Sequence, residues 1–206
     1  MRGGDRTAYE GGQVSLDPRP HIRREPFGMV VLPVLSVLAS GWPLGFASAP
    51  YNRDWARRFP RRAGWMALAG PGANLLLLLL AALVINLGVL GGVFYAPDRI
   101  SFAYVTAVTA GAASFWQPIV ALAGAVFSLN LLLFIFNLLP VPPLDGFTAF
   151  LSGLPPHRAG KVQDSLHAHP QLRWLGIFLA WQVFDGLFHP VFLLAVSALY
   201  PGVSYS

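Results

Sequence analysis

The sequence predicts an all-α polytopic membrane protein, a bundle of about four apolar segments behind a short polar N-terminal region. Three observations predict it. Of the 206 residues, 55% are hydrophobic and only 11% are charged, where soluble domains carry about 25% charged residues. No charged residue occurs from Trp65 to Pro97 or from Ser101 to Leu144, and about 20 apolar residues suffice to cross a bilayer. The basic residues sit beside the apolar runs, not within them, as side chains that meet anionic headgroups do. The net charge of +5 therefore points to membrane lipid as a partner and not to nucleic acid. The chain has no cysteine, which excludes disulfides and thiolate chemistry. Its length fits one membrane domain over residues 1–206.

Residues 1–27 are polar and irregular, with five arginines, and have no apolar core of the kind a cleaved signal peptide needs. The alternation in "GQVSLDP" (12–18) allows a short strand. The transmembrane bundle is expected over 28–206. Its first apolar segment runs from about Phe27 to Ala47 and holds two prolines and three glycines. A basic loop with five arginines follows, "SAPYNRDWARRFPRRAG". The second segment, from about Trp65 to Tyr95, opens on "ALAGPGANLLLLLL". Pro71 fits a first turn or a kink, and Gly70, Gly72 and Ala73 allow a neighbouring helix to come close. Residues 96–112 are expected as a loop. The third segment spans about Ser114 to Leu139 and the fourth about Trp174 to Tyr200. The polar connection between them is placed to return toward the membrane.

Loop charges give an orientation. The loop before the second segment has five arginines, the loop after it has only Arg99, and the next has Arg158, Lys161 and Arg173. By the positive-inside rule, loops 48–63 and 153–173 are expected on the cytoplasmic side. The first segment breaks the alternation, because five arginines flank it on each side. It is expected either to be re-entrant or to take its orientation from a span outside this sequence.

Polar residues within or beside the spans are Asn74, Asn130, Asn137, Asp145, Asp185 and His189. The plain expectation is that each faces the bundle interior and hydrogen-bonds a neighbouring helix. Asn74 is placed to satisfy backbone groups near Pro71. Asp185 and His189 stand four apart on one helix face and can pair with each other. The loop histidines His157, His167 and His169 read as solvated, although "HAH" has ligand-bearing side chains. Asp145 differs, since it follows "NLLPVPPL", which prolines force out of a helix. Irregular backbone at membrane depth is tolerated around a cavity or within protein, so water or a cation can reach its carboxylate. Alternatively, Asp145 caps a short interfacial helix that starts near Gly146. The residues leave both readings open.

Two stretches together resemble a known family. "FNLLPVPPLDG" has the pattern N-x-x-P-x-x-x-x-D-G at Asn137, Pro140, Asp145 and Gly146, and "ALAGPGAN" opens the long helix upstream. Both resemble the site-2 protease family of intramembrane zinc metallopeptidases, in the compact form without a PDZ domain. "GDRTAYEGGQVSLDPRPHI" resembles that family's polar hairpin, "PFGMVVLPVL" the helix after it, and "GWPLGFASAPYNRDW" its extended membrane-side segment. The resemblance covers nearly the whole chain and is weakest over 96–112 and 150–206. It implies that Asp145 is a zinc ligand and that Asn137 helps hold substrate, a transmembrane protein, near the metal. It further implies two histidine ligands and a glutamate base on an H-E-x-x-H helix. Such a set gives zinc three protein ligands and a water for the base to deprotonate.

No H-E-x-x-H occurs in these residues. The family places that helix just before the "GD" that matches Gly4-Asp5. The expectation is therefore that the chain is N-terminally truncated relative to the family and inactive in this form, with one of three metal ligands. The alternatives are a non-catalytic relative that binds transmembrane helices, and a small transporter-like membrane protein in which Asp145, Asp185 and His189 line an ion path. Within the resemblance, "GWPLGFASAP" is expected to pair with an unwound substrate as an added strand through the region of Leu44 and Phe46.

Overall fold

The computed structural model describes residues 6–11, 14, 17–24, 26–31, 33–35, 38, 52–169, 171–203 and 205. It forms two compact units, residues 1–59 and 60–206.

The first unit contains short helices: α1 (Thr7–Glu10), α2 (Arg19–Arg24), a π-helical turn at Phe27–Val31, and α3 (Arg53–Arg58). Ahead of α2, the Asp17 carboxylate accepts from the Arg19 N–H at 3.0 Å and closes a turn. The α3 sequence "RDWARR" carries its own start and stop signals. Asn52 Oδ1 accepts from the Trp55 N–H at 3.0 Å, Asp54 sits in the first turn, and Arg57 and Arg58 sit in the last. Most of the expected strand at 12–18, most of the apolar segment from Phe27 to Ala47, Gly4-Asp5 and all of "GWPLGFASAP" lie outside the described residues.

The second unit is a helical bundle. Its longest helix, α4 (Pro60–Leu90), has 31 residues. It begins before the expected Trp65, because Pro60 suits a first helical turn and the arginines after it are good helix formers. It ends at "GG", where Gly92 takes a φ of 69°. Pro71 is buried within it and leaves the Ala67 carbonyl without its helical donor. Between Leu90 and Trp116 the expected loop contains a two-stranded antiparallel ribbon, β1 (Phe94–Tyr95) with β2 (Ala107–Val108), in register Phe94 to Val108 and Tyr95 to Ala107. The β-branched and aromatic residues of "VFY" and "YVTAVT" account for it.

Helix α5 (Trp116–Leu138) stops where Pro140 removes a donor and disfavours a helical residue before it. The connection expected after it holds two helices, α6 (Asp145–Ser152) and α7 (Pro156–Ala168). Helix α8 (Gln171–Leu199) contains Pro190, and its stretches Leu175–Phe184 and Gly186–Leu199 are bent by 48°. Pro190 cannot donate to the Gly186 carbonyl, which weakens the helix at that place.

The core forms where α4, α5, α8 and the ribbon meet. Leu78, Ala81 and Ile85 of α4 pack with Ala123, Phe127 and Leu131 of α5, Phe192, Val196 and Leu199 of α8, Val105 and Tyr200. The other faces of α4 expose Leu76, Leu79, Leu83, Leu87 and Leu90. A helix apolar on every side and covered on only one belongs in lipid. Among the described residues, α4 and α5 are long and apolar enough to cross a membrane, and bent α8 makes a third if it counts as one span. The fold is thus an all-α membrane protein.

Candidate functional site

The proline loop and the "DG" that ends it are placed by backbone contacts. The loop, "PVPP", has a cis peptide between Pro142 and Pro143. It leads into α6, whose N-cap position is Leu144, with Asp145 in the first turn. Leu144 makes no side-chain capping bond. The short helix foreseen at Gly146 therefore exists, but Asp145 starts it from inside, one residue past the cap position. An acid there favours the helix through the dipole. A Cβ on Gly146 would collide with the Leu138 carbonyl and sit 2.7 Å from the Leu139 oxygen. Only glycine lets α6 start directly against the end of α5.

Along its length α6 packs on α4. Asp145, Ala149 and Ser152 are spaced i, i+4 and i+7, so they line one face. A Cβ on Gly64 of α4 would meet the Ser152 side chain, with its Cβ at 2.6 Å and Ala149 Cα at 3.8 Å, and a Cβ on Gly70 would stand 3.1 Å from Asp145 Oδ2. The helices run antiparallel, with Ser152 at Gly64 and Asp145 at Gly70. Ser152 Oγ donates to the Ala149 carbonyl at 2.7 Å, which satisfies it within α6.

The Asp145 carboxylate is half-buried and lies outside the spanning helices. Burial raises its pKa above the ordinary carboxylate value. Among the described residues, burial is the one influence that moves it. The structure thus brings together the two motifs "AGPGAN" and "LDG" at Gly70 and Asp145. Asn137 is half-buried in the last turn of α5, next to Leu138, whose carbonyl abuts Gly146. It therefore stands on the segment that carries α6.

Asn130 is buried as expected, but its Nδ2 donates to the Val126 carbonyl of its own helix at 2.8 Å, not to a neighbouring one. One turn back along the same helix, that carbonyl is the nearest acceptor. His189 is exposed on α8, and the side chains of Asp185 and His167 lie outside the described ones. His157 and His169 are exposed, as expected of solvated residues. Among the described residues, no three His, Asp or Glu side chains are grouped to share a metal ion. A carboxylate such as that of Asp145 is a donor type that zinc accepts, but the described residues do not form a complete zinc centre. Gly64 was hidden in the sequence by the arginines around it. The signal for it was the recurrence of small residues at Ala63, Gly64, Ala67 and Gly70, the spacing of a close helix seam.

Residues 11–168 match the family model described as Peptidase family M50. A relative from Bacillus subtilis (strain 168), named "Putative zinc metalloprotease YwhC", is 32% identical over 163 residues, which cover 79% of this chain and 63% of the relative. A relative from Mycobacterium tuberculosis, named "Putative zinc metalloprotease Rip2", is 32% identical over 165 residues, covering 80% of this chain and 52% of the relative. The chain thus spans between half and two thirds of the length of these relatives. No solved structure matches it.

Proposed function

The chain belongs to peptidase family M50, the site-2 proteases, and from that premise we propose that it carries the aspartate portion of an intramembrane zinc metallopeptidase centre. Asp145 is the metal ligand in this reading, and Asn137 holds the substrate, a transmembrane protein, beside it. The observation that supports it most is the placement of Asp145. Its carboxylate is half-buried at the turn after a proline loop, lies against Gly70, and has burial alone acting on its pKa.

Zinc in such a centre supplies Lewis acidity and a bound water of lowered pKa. This chain's residues do the positioning. Gly146 sets the start of α6 on α5, Gly64 sets its depth along α4, and the helix presents Asp145 at its first turn. Two histidines and a base are needed besides, and no H-E-x-x-H occurs within these residues. In the reading proposed, a helix outside this sequence contributes them, and the 206-residue chain alone does not cleave peptides. Family membership removes the support for a transporter-like role. The second reading, a non-catalytic relative that binds transmembrane helices, rests on the same lack of an H-E-x-x-H within these residues.

The intact mass of the protein purified from its native host separates these readings. A product heavier than 22.3 kDa, with an added H-E-x-x-H helix, zinc bound, and zinc lost in D145N, supports the peptidase. A product of 22.3 kDa without zinc supports the non-catalytic relative.

A further inference from the structure

We infer that Gly70 is a positioning residue for the Asp145 carboxylate, so that the "AGP" turn of α4 belongs to the site and is not merely a helix seam. The inference rests on the reading of Asp145 as a ligand but is carried by a separate observation. Three glycines set how α6 is seated, each at a different contact. A Cβ on Gly146 would meet the α5 backbone, one on Gly64 the Ser152 side chain and the Ala149 backbone, and one on Gly70, among the described residues, only Asp145 Oδ2. The first two fix where the helix lies. Of the three, Gly70 alone faces a carboxylate oxygen of Asp145.

A methyl at Gly70 would lie 3.1 Å from that oxygen, closer than an ordinary carbon–oxygen contact. The carboxylate is the movable partner, because it ends a side chain while the α4 backbone is fixed. Turning it by a few tenths of an ångström relieves the contact. A shift of that size exceeds the tolerance of about 0.2 Å on a metal–ligand distance. Gly70→Ala should therefore change what Asp145 can bind much more than it changes the fold. Gly72 is the built-in control. It stands on the same helix, two residues on, and a Cβ there meets nothing within 4 Å.

The test compares G70A and G72A in the full 206-residue chain in detergent, with aspartate labelled with 13C at the side-chain carboxyl. The Asp145 resonance is identified by its loss in D145N. G70A should shift that resonance and G72A should leave it in place. In thermal unfolding, G70A should lower the midpoint relative to G72A, and the difference should vanish when each is combined with D145A. An unmoved resonance in G70A, or a cost that persists with D145A, overturns the inference. The ligand reading is scored separately. In a form carrying an H-E-x-x-H helix, cobalt absorption should appear in the parent and weaken about tenfold or more in G70A. A parent that binds no cobalt sinks the ligand reading and leaves the carboxyl shift to decide the role of Gly70.

Discussion

At the scale of single residues, burial and a few close partners decide behaviour, and Tyr200 shows it most clearly. Its hydroxyl donates to the Val105 carbonyl at 2.9 Å, and its ring is buried in the core just past the end of α8. Burial pushes its pKa from 10 up to about 12. A phenol raised in the folded state stabilises the fold fully below the unfolded value, and that contribution is lost as pH climbs from about 10 to about 12. Burial also raises Tyr104 and Tyr205, so tyrosinate absorbance should show a late component near pH 12 that shrinks by one tyrosine in Y200F. The same variant should cost about 1–3 kcal/mol at neutral pH by leaving the Val105 carbonyl without a donor. A titration of Y200F whose late component near pH 12 keeps its full amplitude would refute the assignment. Asp145 was legible at this scale, because a carboxylate after a proline-broken apolar run demands a reason. The Asn130 partner was not, since a neighbouring helix and its own helix offer the same acceptor type.

At the scale of elements, α6 depends on contacts made by residues without side chains. Gly146→Ala drives a methyl into the backbone carbonyls of Leu138 and Leu139, which no rotamer change relieves. It should destabilise the second unit by about 2 kcal/mol or more. Gly72→Ala meets open space and should be neutral or stabilise by up to about 1 kcal/mol through helix propensity. Denaturant unfolding in detergent micelles compares the two, and equal effects would mean that α6 does not seat on α5 as described. Sequence read the long helices well, because a charge-free apolar run has few other structures open to it in lipid. It read their junctions poorly. Whether Gly70 faces lipid, another helix or a carboxylate depends on the rotation of α4 against α6, and no local pattern fixes that rotation. The ribbon at Phe94–Tyr95 and Ala107–Val108 escaped for a related reason. Two residues per strand give too short an alternation to register as a period.

At the scale of the whole molecule, the bundle turns a charge pattern into an orientation that labelling can test. Ser152 meets Gly64 near the start of α4, and Gly146 meets Leu138 at the end of α5. The basic start of α4 and the α6–α7 region therefore lie at one end of the second unit. Phe94 packs at Gly88 and Val105 at Gly124, 3.3 Å from a Cβ there, so the ribbon lies at the other end. The residues near the first end include Arg61, Arg62, Arg158 and Lys161, whereas the ribbon end has only Arg99. Basic residues stay where negative lipid and the translocation bias hold them, and we propose that the Asp145 end faces the cytoplasm. The chain has no cysteine, so a single one introduced by substitution reports its own side. Ser114 near the ribbon and Ser165 on α7 are both exposed. In intact cells a membrane-impermeant maleimide should label S114C, and it should label S165C only after permeabilisation. The reverse pattern would place the candidate site on the outer face, and labelling of both without permeabilisation would mean that α5 does not cross the bilayer. If the proposed peptidase reading holds, the expected pattern would favour substrates that present their cleavable segment toward the cytoplasmic side of the membrane.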